Sequence, residues 1–297
     1  MKLIYKPTVR VLSRPTLDVE SLMGFITKSF GDEIADSCFA RMQGTDGDLL
    51  PEIAGRVCYM SFEKPRPGGN KTYLDHIKEV GHGSVLEHPT WSFIIEGVSR
   101  SLSHELVRHR AGIAISQLSQ RYVDESDVAF VVPPAMARAV ESLQRYRGEH
   151  TESGCPDSWF VGEASKLDLT ASQAATAVHW EKSCNTALEK YSDLVRLLTA
   201  DAPSELTGTD RRKWARQAAR SVLPNCTETK MVWSANARAL RHCIEMRAAA
   251  AADVEIRALF IEVLKVMKEE APNLFSDYQI VTLPDGTEAA ETQWRKV

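Results

Sequence analysis

Between Glu105 and Tyr122 the chain reads Glu105-Leu-Val-Arg108-His109-Arg110, then Ala-Gly-Ile-Ala-Ile, then Ser116-Gln117-Leu118-Ser119-Gln120-Arg121-Tyr122. Arginine carries a rigid fork of donors matched to phosphate and carboxylate oxygens. Ser119 and Gln117 add neutral hydrogen-bonding groups. Such a density of anion-recognising side chains suggests a site for phosphorylated ligands. A plainer origin exists for Arg108 to Arg110, the last turn of a helix, where the macrodipole favours cations. It does not account for the second cluster.

A second dense stretch is Asn236-Ala-Arg238-Ala-Leu-Arg241-His242-Cys-Ile-Glu-Met-Arg247. Wound as a helix, it puts Asn236, Leu240, Cys243 and Arg247 on one stripe, with Arg238 and His242 roughly opposite. A surface helix has one apolar and one polar face. Here polar groups point both ways while Leu240, Ile244 and Met246 also need burial. That predicts a helix wedged between parts of a site or between subunits; a buried helix with satisfied polar groups is the alternative. Gly81-His82-Gly83-Ser84-Val85-Leu86-Glu87-His88-Pro89 reads as a helix C-cap and turn. A cap, however, needs none of His82, Ser84, Glu87 and His88. The order is not the His-Glu-x-x-His of zinc proteases, and no metal is expected.

The elements that must position these groups follow from apolar spacing. A short strand is predicted at Val9–Ser13 and a helix from Val19 to Ala40 on Leu22, Phe25, Ile26 and Phe30. Gly44–Asp48 reads as a loop, and Pro51–Tyr59 and Thr72–Val80 as helices. Trp91–Val98 reads as a half-buried strand. Ser101–Arg110 is predicted helical, with Leu102, Leu106 and Val107 inward and Glu105 and Arg108 on one side. After a bend at Ala111-Gly112 the chain is extended at first, and Val128–Val132 is a short apolar run. Gly148–Leu167 reads as a surface excursion. Ala171–Thr199 is a long amphipathic helix, Asp201–Thr209 a loop and Asp210–Val222 a helix. The run Arg211, Arg212, Lys213, Arg216 and Arg220 on that last helix reads mostly as a solvated face. Asp253–Lys268 continues as helix and Val281–Gly286 closes as strand and turn. The class is α+β, in a single domain over 1–297 with variable excursions near 31–50 and 136–167.

Composition bounds the function. The chain has 297 residues, 43% hydrophobic, enough for a substantial core. A net charge of -4 provides no global basic field for nucleic acid, so anion binding must be local. The cysteines at 38, 58, 155, 184, 226 and 243 form no CxxC pair or zinc spacing and read as reduced thiols of a cytoplasmic protein. No apolar run approaches membrane-spanning length, and Met1–Ser13 lacks a signal-peptide core.

These stretches together resemble the flavin-dependent thymidylate synthases. The family signature, Arg-His-Arg, a spacer, then Ser-x-Arg-Tyr, stands here as Arg108-His109-Arg110, Ser119, Gln120, Arg121-Tyr122. Gly81-His82-x-Ser84-x-x-Glu87-His88, Arg216-Gln-Ala-Ala-Arg220-x-x-Leu-Pro224-Asn225, Asn236-x-Arg238-x3-His242-x4-Arg247 and Asp253-Val-Glu-Ile-Arg257 also look like family elements, in order from about Val9 to Gly286. The resemblance implies that family's fold, with a mixed or antiparallel sheet beside a large helical part. It implies methylation of dUMP to dTMP with methylenetetrahydrofolate, NADPH reducing FAD, in a homotetramer whose active sites draw on several subunits. By motif position, dUMP contacts fall on Glu105, Arg108, Gln117, Leu118, Ser119, Gln120, Arg121, Arg220 and Arg247. FAD contacts fall on Ser84, Arg108, His109, Arg110, Gln117, Asn236, Ala237, Arg238 and His242, with His82 and Glu87 near flavin and folate. Arg247 is the expected catalytic group, stabilising charge on the uracil. Ser119 lacks an activating base in sequence and reads as a phosphate ligand.

Two departures from the family pattern stand out. The spacer Ala111–Leu118 is one residue longer than usual, which in extended chain would flip every later side chain unless the Ala111-Gly112 bend absorbs it. Ala251 stands where a histidine is common; alanine should preserve helix there while a hydrogen bond or folate contact is lost. Two alternatives carry over: a related flavoenzyme acting differently on a pyrimidine nucleotide, and an inactive homologue that binds flavin and nucleotide.

Overall fold

Punctuation by caps and glycines sets most element boundaries in the computed structural model, which describes residues 1–149 and 156–296. Prolines 7 and 15 bracket the second of two opening strands, β1 (Lys2–Ile4) and β2 (Thr8–Ser13). The helix predicted over Val19–Ala40 is two, α1 (Val19–Phe30) and α2 (Asp32–Arg41). Gly31 between them sits at φ 89°, where a right-handed helix cannot continue. The expected loop at Gly44–Asp48 gives its second half to α3 (Asp46–Tyr59), because the Thr45 hydroxyl accepts the Asp48 amide and starts the helix ahead of Pro51. α4 (Gly69–Glu79) ends as expected at Gly81: its amide bonds Lys78 O and that of His82 bonds Ile77 O, with Gly81 at φ 70°. A 3-10 turn, Gly83–Glu87, follows.

β3 (Thr90–Ser99) alternates as a half-buried strand, with Trp91, Phe93 and Ile95 inside. α5 (Arg100–Leu106) is shorter than the helix expected to Arg110. Arg108, His109 and Arg110 therefore lie beyond its last turn, and Val107 is exposed instead of inward. β4 (Ile113–Gln117) and β5 (Ala129–Val131) come next, then α6 (Ala137–Glu149). The expected excursion at Gly148–Leu167 contains α7 (Asp157–Gly162), whose Phe160 is buried against Tyr146 at 5.4 Å between rings. Residues 150–155, Cys155 among them, lie outside the described residues.

α8 (Ala171–Ala200) opens on a reciprocal capping box between Thr170 and Gln173. α9 (Gly208–Ala219), β6 (Glu228–Asn236), α10 (Ala237–Arg247), α11 (Val254–Glu270), β7 (Gln279–Thr282) and β8 (Glu288–Glu291) complete the chain. Helix was expected through Ala251, yet Ala248–Ala252 is a turn and Asp253 caps α11 afresh. Met246 is exposed, not buried.

The described chain forms two compact units. The first comprises Met1–Lys6, Gly97–His104 and Gln117–Lys230; the second comprises Pro7–Glu96, Glu105–Ser116 and Met231–Val297. A four-stranded sheet has the order β2-β3-β6-β4, with β2 and β3 antiparallel, Val9 opposite Ile95. Within the first unit β1 pairs parallel to β5, and Val140, Leu143, Tyr146, Phe160, Ala174 and Ala177 form a core between α6, α7 and α8. Within the second, β7 and β8 form an antiparallel hairpin, and Trp233 packs between Phe93 and Phe260 at 5.8 and 5.7 Å. Among the described residues no helix is long and apolar enough to cross a membrane.

The second unit also buries charge. Arg241 on α10 is 2% exposed and forks onto Asp277 with two bonds of 2.9 Å. Lys78 reaches the same carboxylate at 3.0 Å, and the Thr292 hydroxyl also donates to it. Burial alone would raise the Asp277 carboxyl, but the hydrogen bonds and charge of Arg241, with Lys78, hold it well below the usual carboxylate range. Removing the anion takes from buried Arg241 its ion-pair partner and leaves buried Lys78 with Asp75 alone. Asp277→Ala should therefore destabilise the fold by about 3–5 kcal/mol, measured by denaturant or thermal unfolding. Because the folded carboxyl is depressed, its contribution is full above the ordinary carboxylate range and fades as pH falls through and below it. Part of the wild-type acid sensitivity should be missing in the variant.

Candidate functional site

In the first unit, the junction of β3 and α5 is fixed from both sides. The Ser99 hydroxyl accepts the Leu102 amide at 3.1 Å, and the amides of Arg100 and Ser101 donate to Thr227 O and Asn225 O, each at 3.1 Å. After β4 the Leu118 amide joins Lys230 O at 2.9 Å, and the chain folds into a turn in which Tyr122 and Val123 donate back to Ser119 O. α9 delivers Arg220 at its end. These segments enclose a cleft of about 400 Å³ that includes Arg100, His104, Gln120, Arg220 and Asn225 in its walls.

The charges in this cleft are those of an anion site. Burial lowers the Arg100 guanidinium, buried Glu125 opposes that, and the charge of Arg220 lowers it further. Two guanidiniums that repel each other across a polar cleft are relieved by an anion between them. The Nε atoms of Arg100 and Arg121 are buried without partners. Glu125 is 3% exposed; burial raises its carboxyl to about 7, partly offset by Arg100.

Of the residues expected at a nucleotide, Gln120 and Arg220 line this cleft. Ser119 and Arg121 sit in the turn beside Gln120, the Arg121 amide 3.4 Å from the Ser119 hydroxyl, and Leu118 accepts from Arg100 Nη2 at 2.9 Å. The Gln117 amide nitrogen is engaged within the fold, donating to Ser103 and Thr229 hydroxyls. Arg100, His104 and Asn225 were not anticipated as site residues. Asn225 stood inside a quoted motif, whereas Arg100 had only its place at a strand-to-helix junction to mark it. The basic run on α9 is not wholly a solvated face: Arg216 ties down the turn through Tyr122 O and Asp124, each at 2.7 Å.

In the second unit, α10 starts where β6 ends. Asn236 caps it by accepting the Ala239 amide at 2.9 Å, while its own amide donates to Gly112 O at 3.1 Å. Gly112 lies at φ 69°, and a Cβ there would fall 2.6 Å from the Asn236 side chain. Only glycine fits the bend. A cleft of about 240 Å³ results, lined by Glu87, Ala111, Gly112, Asn236, Arg238 and His242 among others. Arg238 pairs with Glu87 at 2.6 Å. His82 and Ser84 are exposed at the 3-10 turn bearing Glu87, and Ala237 is buried with its amide on Pro89 O at 2.9 Å.

At the end of α10, Arg247 donates from Nε to His109 Nε2 at 2.9 Å and from Nη1 to Glu105 at 2.8 Å. The His109 ring stands edge-on to His242 at 5.8 Å. Burial first, then Arg247 and His242, push the His109 pKa down, so the imidazole is neutral and accepts from arginine. Arg108 and Arg110, flanking it, are exposed. Among the described residues no group of three or more His, Cys, Asp or Glu could hold a metal.

The comparisons agree in direction. The family model described as thymidylate synthase complementing protein matches residues 42–273, leaving α1 and α2 outside. The chain is 45% identical over 246 residues to a flavin-dependent thymidylate synthase of Mycolicibacterium gilvum, covering 82% of this chain and 84% of that one. It is 46% identical over 248 residues to one from Mycobacterium sp. strain JLS, covering 83% and 85%. Among solved structures, a UMP/dUMP methylase, PolB from Streptomyces cacaoi bound with 5-Br dUMP, shares the fold with TM-score 0.54 at 19% identity, covering 93% and 96%.

The His109 geometry is directly checkable. In a histidine NMR titration His109 should protonate below an ordinary histidine, and Arg247→Ala should move its midpoint upward by removing a cationic neighbour. An unmoved midpoint would contradict the contact.

Proposed function

The chain belongs to the flavin-dependent thymidylate synthase family, and on that premise we propose that it methylates C5 of dUMP to give dTMP, with methylenetetrahydrofolate as carbon donor, FAD as the flavin and NADPH as reductant. The observation that carries the nucleotide reading is the polar cleft where Arg100, Gln120, Arg220 and Asn225 converge, with no carboxylate among the described residues that line it. A phosphate monoester supplies the missing anion. Ser119 and Arg121, in the adjoining turn, supply further donors to it.

The cleft at the start of α10 fits a flavin cofactor by its donor set. Arg238, His242 and the amide side of Asn236 suit the diphosphate, and the Cβ-free wall at Gly112 allows close approach. Ser84, Arg108, His109 and Arg110 are the further residues assigned to it, with His82 and Glu87 toward flavin and folate. A flavin held by these residues would supply the hydride chemistry of the reaction. Glu105 and neutral His109 hold Arg247 through its Nη1 and Nε donors, and Arg247 stabilises negative charge on the uracil. His109 stays unprotonated beside it, so no second charge competes for that anion. The family's homotetramer is the proposed assembly.

The test is anaerobic. Protein reduced with NADPH should bleach the flavin absorbance, and dUMP with methylenetetrahydrofolate should restore it with formation of dTMP. Bleaching followed by a different product would replace thymidylate synthesis with another pyrimidine chemistry. Arg247→Ala should lower turnover by roughly a hundredfold or more, the scale of losing one preorganised charge-stabilising donor, while flavin stays bound. Near-normal turnover would remove Arg247 from the role. Arg220→Ala should instead raise the dUMP Kd about tenfold or more, the scale of one charge-assisted hydrogen bond, read by equilibrium titration.

A further inference from the structure

One pair of side chains is left unused by this chemistry. Cys184, in the middle of α8, and Cys226, in the turn that leads into β6, place their sulfurs 3.6 Å apart, and neither is in a disulfide. They lie far apart in sequence, on elements that nothing covalent joins. A disulfide requires the sulfurs to close by about 1.5 Å, a displacement shared between α8 and the turn that carries Cys226. Cys184 is buried and Cys226 is partly open to solvent.

The turn that carries Cys226 is a wall of the polar cleft. Pro224 and Asn225, the two residues before it, line the cleft together with Arg220 and Arg100. The same turn is pinned by its backbone: Asn225 O receives the Ser101 amide at 3.1 Å, Cys226 O the Val131 amide at 2.8 Å, and Pro224 O the Thr227 amide at 3.0 Å. A covalent tie from Cys226 to α8 therefore pulls on the segment that presents Asn225 and on the start of α5 that presents Arg100.

We propose that Cys184 and Cys226 form a reversible disulfide that couples the thiol redox state to anion binding in the cleft of the first unit. The oxidant is a low-molecular-weight disulfide. Cys226, the accessible thiol, loses its proton and attacks one sulfur of the oxidant, releasing one thiol and leaving a mixed disulfide. Cys184 then attacks the Cys226 sulfur, expels the second small thiol and closes the protein bond. Two protein thiols are oxidised and one small disulfide is reduced to two thiols. Cys184 is held protonated first by its hydrogen bond to Cys226 and then by burial. The first step removes that hydrogen bond, so the second becomes easier once the first has happened. The coupling part rests on the nucleotide reading of the cleft; the bond itself does not.

The experiment uses the full chain and glutathione disulfide, followed by tryptic mapping without reduction and by dUMP titration. The expected result is a Cys184–Cys226 cross-linked peptide with the loss of two hydrogens, reversed by dithiothreitol. The dUMP Kd should rise about tenfold on oxidation, the scale of one displaced charge-assisted hydrogen bond, and return on reduction. Cys226→Ser and Cys184→Ser, each binding dUMP as the reduced wild type does, should lose the redox response. Exposed Cys58 reports that the oxidant has reacted. Glutathionylated Cys58 alongside an uncross-linked pair, or a mixed disulfide persisting on Cys226, would overturn the site. A cross-link with unchanged affinity would overturn the coupling. Failure of the reduced protein to bind dUMP would overturn the nucleotide reading instead and leave the bond standing.

Discussion

The second unit depends on the neutralisation of a buried guanidinium. Taking an arginine out of water costs several kcal/mol even after relaxation, and the cost is offset only by near-complete pairing. Arg241 meets that requirement with two bonds to Asp277, one to Leu274 O and a ring contact with Tyr278 at 4.9 Å. Tyr278 returns its hydroxyl to Arg241 O at 2.9 Å. These bonds fix the rotation of α10 about its axis. Arg238 and His242, four residues apart, share a stripe beside Arg241 yet are exposed, and Arg247 lies at the C-terminal end of the helix. The polar groups of this helix thus have two separate settings, a buried ion network and an exposed pair that lines a cleft.

That α10 carries polar groups pointing both ways is legible in the sequence, but the sequence does not say which polar residues serve which purpose. Arg238 and Arg241 are the same residue type within one turn, and only the position of Asp277, far along the chain, separates them. Lys78 is a similar case. On an amphipathic helix it reads as solvated, yet it is 2% exposed because Asp277 lies beside it. Long-range pairing of this kind leaves no local trace. Local punctuation does leave one, and at two places it outweighs composition: Gly31 splits a stretch of helical spacing, and Thr45 starts α3 inside a loop-like segment.

The sites divide in the same way. Arg108-His109-Arg110 and Ser119-Gln120-Arg121 stand out in the sequence because their polar side chains are neighbours there. Arg100, His104 and Asn225 do not, since each is a single polar residue whose companions come together only when β3, α9 and the turn before β6 are assembled. The same assembly gives each cluster its electrostatic character. The first unit concentrates guanidiniums around an open cleft, where the charge of Arg220 lowers Arg100 and buried Glu125 opposes it. The second surrounds Arg247 with an acceptor imidazole and a carboxylate, so its charge is balanced by Glu105 while His109 stays neutral.

The spacer between the two motifs is where sequence and structure constrain each other most tightly. Side chains alternate along an extended chain, so an added residue within β4 would turn Ser119 and Arg121 away from the side that Arg220 approaches. The strand itself runs from Ile113 to Gln117 without interruption. Ahead of it, Gly112 adopts φ 69° and packs its backbone against Asn236, with its carbonyl taking the Asn236 amide. A residue in this left-handed conformation redirects the chain without belonging to either flanking periodicity, so the bend can change length while the strand keeps its register. Its fixed contact is the cap of α10. The conformation that makes the bend is therefore also the one that leaves no room for a side chain at position 112.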